Sequence, residues 1–236
     1  DNDHGEYITK NQILLGKKTK MFGTFNEMIA SEDFKKVHAV AICTPNHLHV
    51  PMLKAVKNKV VLVEKPPCMD KEGWDDIEKN IRKDDTVFVV LQLHYHPEFY
   101  KFMALASTQG PHEGSMVIRV CRDETYWKSW KGDKSKSGGV LFNIGVHYLE
   151  VLTSAFGDAT EVEVEVSEDR ISRGRISFGD NHFDYHIEIT DNVNANTRHI
   201  QMDGQKFQFS TQDSLAQEDL HLKVYEEIKE KKGVGL

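Results

Sequence analysis

The sequence has few cysteines and no long apolar run, and both absences narrow the classes of protein that fit it. Its three cysteines are odd in number and do not form the close pairs typical of zinc sites. We therefore expect a reducing compartment, the cytoplasm, and no metal. No continuous apolar run approaches the roughly 20 residues of a membrane-spanning helix, and no signal peptide opens the sequence. We therefore expect no membrane partner.

Basic residues are in the minority as well. The formal net charge is -7 at pH 7, which argues against nucleic acid as a partner because phosphate backbones bind cationic surfaces. The rest of the composition is that of a globular protein, with 39% hydrophobic and 28% charged residues. A chain of 236 residues with this apolar content can form one large domain or two modest ones.

Three short apolar runs in the first part of the chain are typical of strands buried on both faces of a parallel sheet. They lie at residues 37–43, 60–63 and 87–93. Helical patterns separate them, one with Pro51 in its first turn and one that begins after a capping Asp70. The alternation of strand and helix predicts right-handed βαβ units and a parallel sheet.

The pattern changes to a period of two after about Pro97. Residues 161–166 and 183–189 alternate apolar and polar side chains, which predicts half-exposed strands of a largely antiparallel sheet. Asp203-Gly204 predicts a two-residue hairpin, and Gly157 closes a helix predicted over residues 143–156. The fold class is therefore α/β. A partial Rossmann domain (a doubly wound parallel sheet) spans residues 1–96, and an α+β domain with an open, largely antiparallel sheet spans residues 97–236.

Lys65 stands at the end of the second apolar run. The run stops at Glu64, and Pro66-Pro67 cannot continue a strand. A lysine at the carboxyl end of a buried parallel strand lies where open α/β sheets bind their ligands. The alternative is a surface lysine that happens to follow a strand. The residues that the fold brings close to Lys65 distinguish the two interpretations.

Two polar residues share a face of the helix predicted after Gly138-Gly139. Asn143 and His147 are four apart, a spacing that stacks side chains on one side of a helix. An imidazole there can act as a base because its unperturbed pKa is near neutrality. The alternative is a structural histidine that is hydrogen-bonded to a neighbouring residue.

Three motifs taken together identify a family. Thr44-Pro45-Asn46-His47-Leu48-His49 follows one predicted strand, Glu64-Lys65-Pro66 follows the next, and the glycine pair precedes the helix of Asn143 and His147. In this order they resemble the glucose–fructose oxidoreductase / inositol dehydrogenase family of NAD(P)-dependent sugar dehydrogenases. The resemblance covers essentially the whole chain. It implies a Rossmann domain, NAD or NADP as cofactor, and a substrate domain with an open mixed sheet.

A longer stretch narrows the resemblance. Residues 126–137, which read Tyr-Trp-Lys-Ser-Trp-Lys-Gly-Asp-Lys-Ser-Lys-Ser, run into Asn143 and His147, and Leu91-Gln92-Leu93 and Tyr225-Glu226-Glu227-Ile228 add to them. Together they are similar to the UDP-N-acetylglucosaminuronic acid 3-dehydrogenase branch. The resemblance implies oxidation of the C3 hydroxyl of a UDP-linked uronic acid for bacterial surface polysaccharides, and a homodimer or homotetramer formed through the second sheet. In some members 2-oxoglutarate re-oxidises NADH that stays bound.

The resemblance also implies roles for individual residues. His147 would be the base and Lys65 the donor to the C3 oxygen, and the two roles could be exchanged if Lys65 is desolvated. Asn143 would orient the substrate. Lys128 and Lys136 would bind the anionic groups of the substrate together with Asn143 and His147. The predicted cofactor-binding residues are Cys43, Thr44, Pro45, Asn46, His49, Glu64, Lys65, Gln92 and Trp127.

The sequence departs from the family pattern in two places. The first strand, the Gly-rich turn, the first helix and the second strand are absent, and the closing segment is short, so we expect the chain to be a fragment. Leu93 is followed by His94-Tyr95-His96-Pro97, where the family has an arginine. No nearby cysteine or carboxylate completes a metal site with the two histidines, so we predict none.

Two other functions stay open. One is a dehydrogenase of a free sugar or inositol. The lysine-rich loop, residues 126–137, argues against it because these substrates carry no negative charge. The other is a non-catalytic NAD-binding protein, which the absence of the Gly-rich turn permits.

Overall fold

A computed structural model describes residues 20–80, 87–210 and 217–230. The chain divides into two compact units, residues 1–38 and 39–236. In the first unit, helix α1 (Phe25–Ala30) ends at Ser31, and a separate helix α2 (Glu32–Lys35) begins after it. Ser31 is the reason, since its backbone is extended and its hydroxyl accepts a hydrogen bond from the Phe34 amide at 3.1 Å, which caps a new helix.

The second unit begins with the predicted parallel sheet. Strands β1 (Ala39–Ile42), β2 (Val60–Val63) and β3 (Val87–Val89) pair in parallel in the order β1-β2-β3. Helices α3 (His49–Ala55) and α4 (Lys71–Asn80) connect them. Asp70 caps α4 as predicted, because its carboxylate accepts from the Gly73 amide at 2.7 Å. The predicted βαβ units are confirmed; β2 has the predicted bounds, and β1 and β3 are shorter than predicted.

The larger sheet has six strands in the order β5-β6-β7-β4-β8-β9. The central pair, β4 and β7, is parallel, and the other neighbours are antiparallel. Asp203 and Gly204, with φ of 51° and 80°, form the predicted tight hairpin between β8 and β9. The strands are β4 (Glu113–Cys121), β5 (Glu161–Ser167), β6 (Ile171–Phe178), β7 (Asn181–Thr190), β8 (Thr197–Met202) and β9 (Gln205–Gln208).

One face of this sheet carries the main core. Helices α5 (Pro97–Ala106) and α8 (Val146–Phe156) contribute Phe102 and Leu152, which pack with Ile118 and Ile187 of the sheet and are fully buried. Burial of each such side chain is worth about 1.5–3 kcal/mol. Edge strand β5 differs from the prediction that its apolar side chains would be covered, because Val162 and Val164 are more than half exposed. The predicted alternation is present in β5, but its apolar face lies largely uncovered.

The segment before α8 is where the sequence prediction is least accurate. Short helices α6 (Glu124–Lys128) and α7 (Lys134–Ser137) are followed by a π-helical turn at Leu141–Gly145, so helical structure begins before residue 143. Gly157, with φ of 81°, closes α8 as predicted. Residues Lys134–Phe156 are long and apolar enough to cross a membrane by length and composition alone, but Val151 and Leu152 are fully buried in the core. The last described helix is α9 (Gln217–Lys229).

Candidate active site

A cleft of about 450 Å³ lies where the ends of the parallel strands face the π-helical turn and the larger sheet. Two sets of residues line it, and each is named here for later use. The first set, the strand-end wall, follows β1, β2 and β3 and consists of Cys43, Thr44, Asn46, Glu64, Lys65 and Gln92. The polar members of the second set, the sheet wall, are Arg122, Tyr126, Lys131, Asn143, His147 and Arg198.

Lys65 connects the two walls. Its ammonium donates a hydrogen bond to the main-chain oxygen of Asn143 at 2.7 Å. Burial lowers the pKa of Lys65 to about 8, the carboxylate of Glu64 opposes this shift, and the positive charges of Lys131 and Arg122 add to it. The lysine is therefore a donor held in place near neutral pH, and a large fraction of it is a neutral amine only slightly above pH 8.

His147 lies in the first turn of α8, immediately after the π-helical turn. Burial lowers the pKa of His147 well below its usual value, and the charges of Lys65 and His221 act in the same direction. The ring is therefore neutral at physiological pH, and one of its two nitrogens carries no proton. Its Nδ1 atom is buried and has no hydrogen-bond partner among the described residues.

Asn143 is buried and held by a tyrosine. Its side-chain amide donates to the Tyr126 hydroxyl at 2.6 Å, while its main-chain oxygen accepts from Lys65. Burial raises the pKa of Tyr126, so the phenol stays protonated. Gly145 allows this turn to pack against the sheet, because a Cβ atom there would lie 2.5 Å from the Ile187 side chain. The π-helical turn thus brings Asn143 and His147 to the cleft beside Lys65.

Two of the predicted cofactor-binding residues lie behind the strand-end wall. His49 is fully buried, and its two ring nitrogens each lie 2.8 Å from a main-chain oxygen, one of Thr44 and one of Pro66. It fastens the loop after β1 to the loop after β2. Pro45 precedes Asn46, whose amide donates to the Ser137 main-chain oxygen at 2.7 Å. Neither Pro45 nor His49 lines the cleft.

Three other predicted residues also lie outside the cleft lining. Lys128 pairs with Glu124 at 3.1 Å and Lys136 with Asp133 at 3.1 Å, each within one helical turn at the surface. Trp127 packs under the guanidinium of Arg170, 4.6 Å from the ring centre. Their roles toward substrate or cofactor stay predictions that the placement does not favour.

Besides Lys65, the lysine and arginine side chains that line the cleft are Arg122, Lys131 and Arg198. The position of Arg122 directly after β4 is comparable to that of Lys65 after β2, and this signal could have singled it out. Arg198 lies within β8, in a strand without any motif, so the sequence carried no sign of it.

A parallel βαβ sheet with polar residues at its strand ends, followed by an open mixed sheet, defines a two-part protein of the Rossmann class. Two family models match the chain. The model of the oxidoreductase family, NAD-binding Rossmann fold, matches residues 15–92, and that of the oxidoreductase family, C-terminal alpha/beta domain, matches residues 113–189. The chain belongs to this GFO/IDH/MocA oxidoreductase family, as the motifs predicted.

Solved structures agree in fold. The WlbA (WbpB) dehydrogenase from Thermus thermophilus, in complex with NAD and UDP-GlcNAcA, has a TM-score of 0.82 and 26% identity. The match covers 93% of this chain and 75% of that one. Levoglucosan dehydrogenase, in complex with NADH and levoglucosan, has a TM-score of 0.66 and 19% identity over 81% of this chain and 59% of that one. The second likeness shows the fold alone.

Curated relatives match a smaller part of the chain. An uncharacterized oxidoreductase, ORF334, of Rhizobium meliloti is 26% identical over 153 residues, which are 63% of this chain and 45% of that protein. The 2,7-anhydro-N-acetylneuraminate hydratase of Mediterraneibacter gnavus is 26% identical over 155 residues, 61% of this chain and 40% of that protein. The chain thus spans less than half the length of either relative.

The strand-end wall fits the nicotinamide end of NAD. Gln92 is buried at the cleft, and its side-chain oxygen has no hydrogen-bond partner among the described residues. An unpaired buried acceptor is unfavourable unless a ligand donates to it, and the carboxamide of nicotinamide carries such a donor. Thr44, Glu64 and Lys65 line the same side of the cleft.

Proposed function

We propose that the whole protein is an NAD-dependent dehydrogenase that oxidises the C3 hydroxyl of a UDP-linked N-acetyl-hexosaminuronic acid. The observation that carries the proposal is the meeting of Lys65 and His147 in one cleft. These residues lie on different parts of the fold, and a neutral imidazole beside a held ammonium is what alcohol oxidation requires.

Each residue has one task in this proposal. His147 accepts the hydroxyl proton, and Lys65 donates a hydrogen bond to the same oxygen as negative charge develops on it. Asn143, fixed by Tyr126, orients the sugar. The strand-end wall, with Gln92 and Thr44, holds the nicotinamide. When bound, NAD supplies the hydride acceptor.

The charge of the sheet wall supports an acidic substrate. Arg122, Lys131 and Arg198 face the cleft, and among the described residues that line it Glu64 is the single carboxylate. Guanidinium and ammonium groups bind carboxylate and pyrophosphate through charge-assisted hydrogen bonds. The names of two similar proteins mention UDP-GlcNAcA and a neuraminate, which are both N-acetylated acidic sugars. We infer that Arg122 and Lys131, more than Lys128 and Lys136, contact the acidic groups.

The wider setting follows the same reasoning. Residues 1–96 would form the nucleotide-binding part and residues 97–236 the substrate-binding part of a cytoplasmic homodimer or homotetramer. Its product would enter bacterial surface-polysaccharide synthesis, and 2-oxoglutarate would serve as a second substrate that regenerates NAD, a reaction for which the cationic sheet wall is suited.

The test is an assay of NADH formation by the whole protein with three substrates: UDP-N-acetylglucosaminuronate, the neutral UDP-N-acetylglucosamine, and free inositol. We expect turnover of the acid, with kcat/KM at least about tenfold above that of the neutral sugar, because the neutral sugar leaves the cations unpaired. Equal turnover of both nucleotide sugars would contradict the uronate assignment. Turnover of inositol alone would favour a free-sugar dehydrogenase, and binding of NAD without any turnover would favour the non-catalytic reading.

A further inference from the structure

His96 joins the start of α5 to the cleft. It is only 5% exposed, and it lines the cleft together with Leu93 and Phe209. Its ring packs on Phe209 at 5.4 Å between ring centres. The neighbouring histidine of the H-x-H pair has another partner, since His94 pairs with Glu150 at 2.5 Å. The two histidines therefore do not converge on one site.

The position of the proton on the His96 ring follows from the helix. Nδ1 accepts a hydrogen bond from the Glu98 amide at 3.1 Å, so His96 is the N-cap of α5, with Pro97 in the first turn. An atom that accepts an N–H carries no proton of its own, and the proton of the neutral ring is therefore on Nε2. Burial lowers the pKa of His96, with Glu98 opposing the shift and Lys101 adding to it, so the ring stays neutral.

Within the described part of the chain, no hydrogen bond from Nε2 of His96 to another residue is found, and Nε2 is not among the fully buried polar atoms that lack a partner. Because His96 lines the cleft, its Nε2–H is a donor that a bound molecule can reach. The surroundings indicate where the ligand's acceptor would lie. Tyr148 contacts Phe209 at 6.1 Å between ring centres, and Arg198 lies close enough to lower the pKa of Tyr148 against the stronger effect of burial.

We propose that His96 is a substrate-binding residue whose Nε2–H donates to an acceptor oxygen of the acidic substrate, in the corner of the cleft that Arg198 shares. The inference rests on the proposed function, since it assigns a further contact within the same site. A neutral donor beside a cation recognises an oxygen without adding charge, and it rejects an analogue that lacks this oxygen.

The test separates two roles of His96, the capping of α5 and the donation of a hydrogen bond to the substrate. His96→Asn and His96→Ser retain an oxygen that caps α5, because Asn and Ser are among the best N-cap residues, but neither places a donor where Nε2 lies. His96→Ala removes both functions. Each variant of the whole protein is compared with wild type for Tm, for NAD affinity by fluorescence titration, for substrate affinity by calorimetry in the presence of NAD, and for kcat/KM.

We expect the Asn and Ser variants to keep the NAD affinity of wild type and to lose about 10- to 100-fold in substrate affinity and kcat/KM. Their Tm should fall somewhat, because the ring no longer packs on Phe209, but less than that of the Ala variant, because the helix cap is retained. The Ala variant should lose the same affinity and also show a lower Tm. Substrate affinity within twofold of wild type in the Asn variant would overturn the inference and leave His96 as a cap. Losses that follow the drop in Tm across all three variants would overturn it as well. An inactive wild type that binds NAD normally would instead contradict the proposed function.

Discussion

The two walls of the cleft differ in how they are built and in the charge they carry. The strand-end wall consists of short segments that leave β1, β2 and β3 in parallel, and it holds the opposite charges of Glu64 and Lys65 together with neutral side chains. The sheet wall comes from distant parts of the chain and carries Arg122, Lys131 and Arg198. The strand-end wall therefore suits a nicotinamide ring held by its amide group, and the sheet wall suits acidic groups.

Two hydrogen bonds fix the walls relative to each other. Asn46 donates to the Ser137 main-chain oxygen and Lys65 to that of Asn143, both at 2.7 Å. Both donors belong to the strand-end wall, and both acceptors are main-chain oxygens of the segment that leads into α8, the helix of His147. The distance between Lys65 and the base is therefore set by the backbone, which is less mobile than a pair of long side chains.

The largest effect should come from breaking the link at Lys65. Lys65→Met in the whole protein should lower kcat by about two to four orders of magnitude, because it removes the donor to the developing negative charge. Binding of NAD, measured by fluorescence titration, should survive. Lys71→Met is the matched control, since Lys71 pairs with Asp75 on the surface of α4.

The control variant should have wild-type kcat. Activity of Lys65→Met within a few-fold of wild type would remove Lys65 from the chemistry. A large loss in both variants would point to a general effect of lysine removal on the fold.

A smaller effect is expected on stability: Lys65→Met should lower the activity but raise the free energy of unfolding near neutral pH. The pKa of Lys65 is about 8 in the folded protein and near 10.5 when unfolded, so the folded state binds fewer protons between these values. The free energy of unfolding of the wild type should therefore rise by about 3 kcal/mol from pH 8 to pH 10.5, and change little below pH 8 on account of this group. Lys65→Met removes the buried charge and also a hydrogen bond worth about 1–1.5 kcal/mol.

Lys65→Met should thus be more stable than wild type by about 1–2 kcal/mol at pH 7, and the advantage should vanish by about pH 10. Denaturant titrations of both proteins at the two pH values measure the difference and cancel the effect of other titrating groups. Lys71→Met should show no such dependence on pH. A Lys65→Met variant that is less stable than wild type at pH 7 would mean that the charge of Lys65 is well compensated in the fold.

How much of this could be predicted from the sequence depends on how each residue reaches the cleft. Strand ends of a parallel sheet converge on one edge, so the apolar run and the polar residues after it were enough to predict that Lys65 faces the cleft. Gln92 also lines the cleft, but the strand ends at Val89, before the end of the predicted run. Asn143 and His147 were placed by helical spacing, although the π-helical turn before α8 was not foreseen. The partner of Asn46 is 91 residues away, and no local pattern encodes such a contact.

The lysine-rich loop shows where such reading fails. Lys128 and Lys136 lie in the predicted loop, but helices α6 and α7 turn them toward Glu124 and Asp133. Which face of a short helix points inward is decided by tertiary packing, and a run of lysines carries no periodic apolar signal to reveal it. Arg198 shows the opposite error, because it lines the cleft but was not predicted. A single arginine in a strand has the same sequence pattern as any polar residue on the exposed face of a sheet.

The central claim, that the sheet wall selects an acidic substrate, is tested most directly by one ratio. It is kcat/KM for UDP-N-acetylglucosaminuronate divided by kcat/KM for the neutral UDP-N-acetylglucosamine, measured in wild type and in four variants. Arg122→Gln and Lys131→Gln should each lower this ratio about 10- to 100-fold, because each removes one charge-assisted contact to the acid. Lys128→Ala and Lys136→Ala should leave it within about twofold, as expected for exposed helix ion pairs. A ratio that is unchanged in the Arg122 and Lys131 variants, or that falls only in the Lys128 and Lys136 variants, would contradict the account.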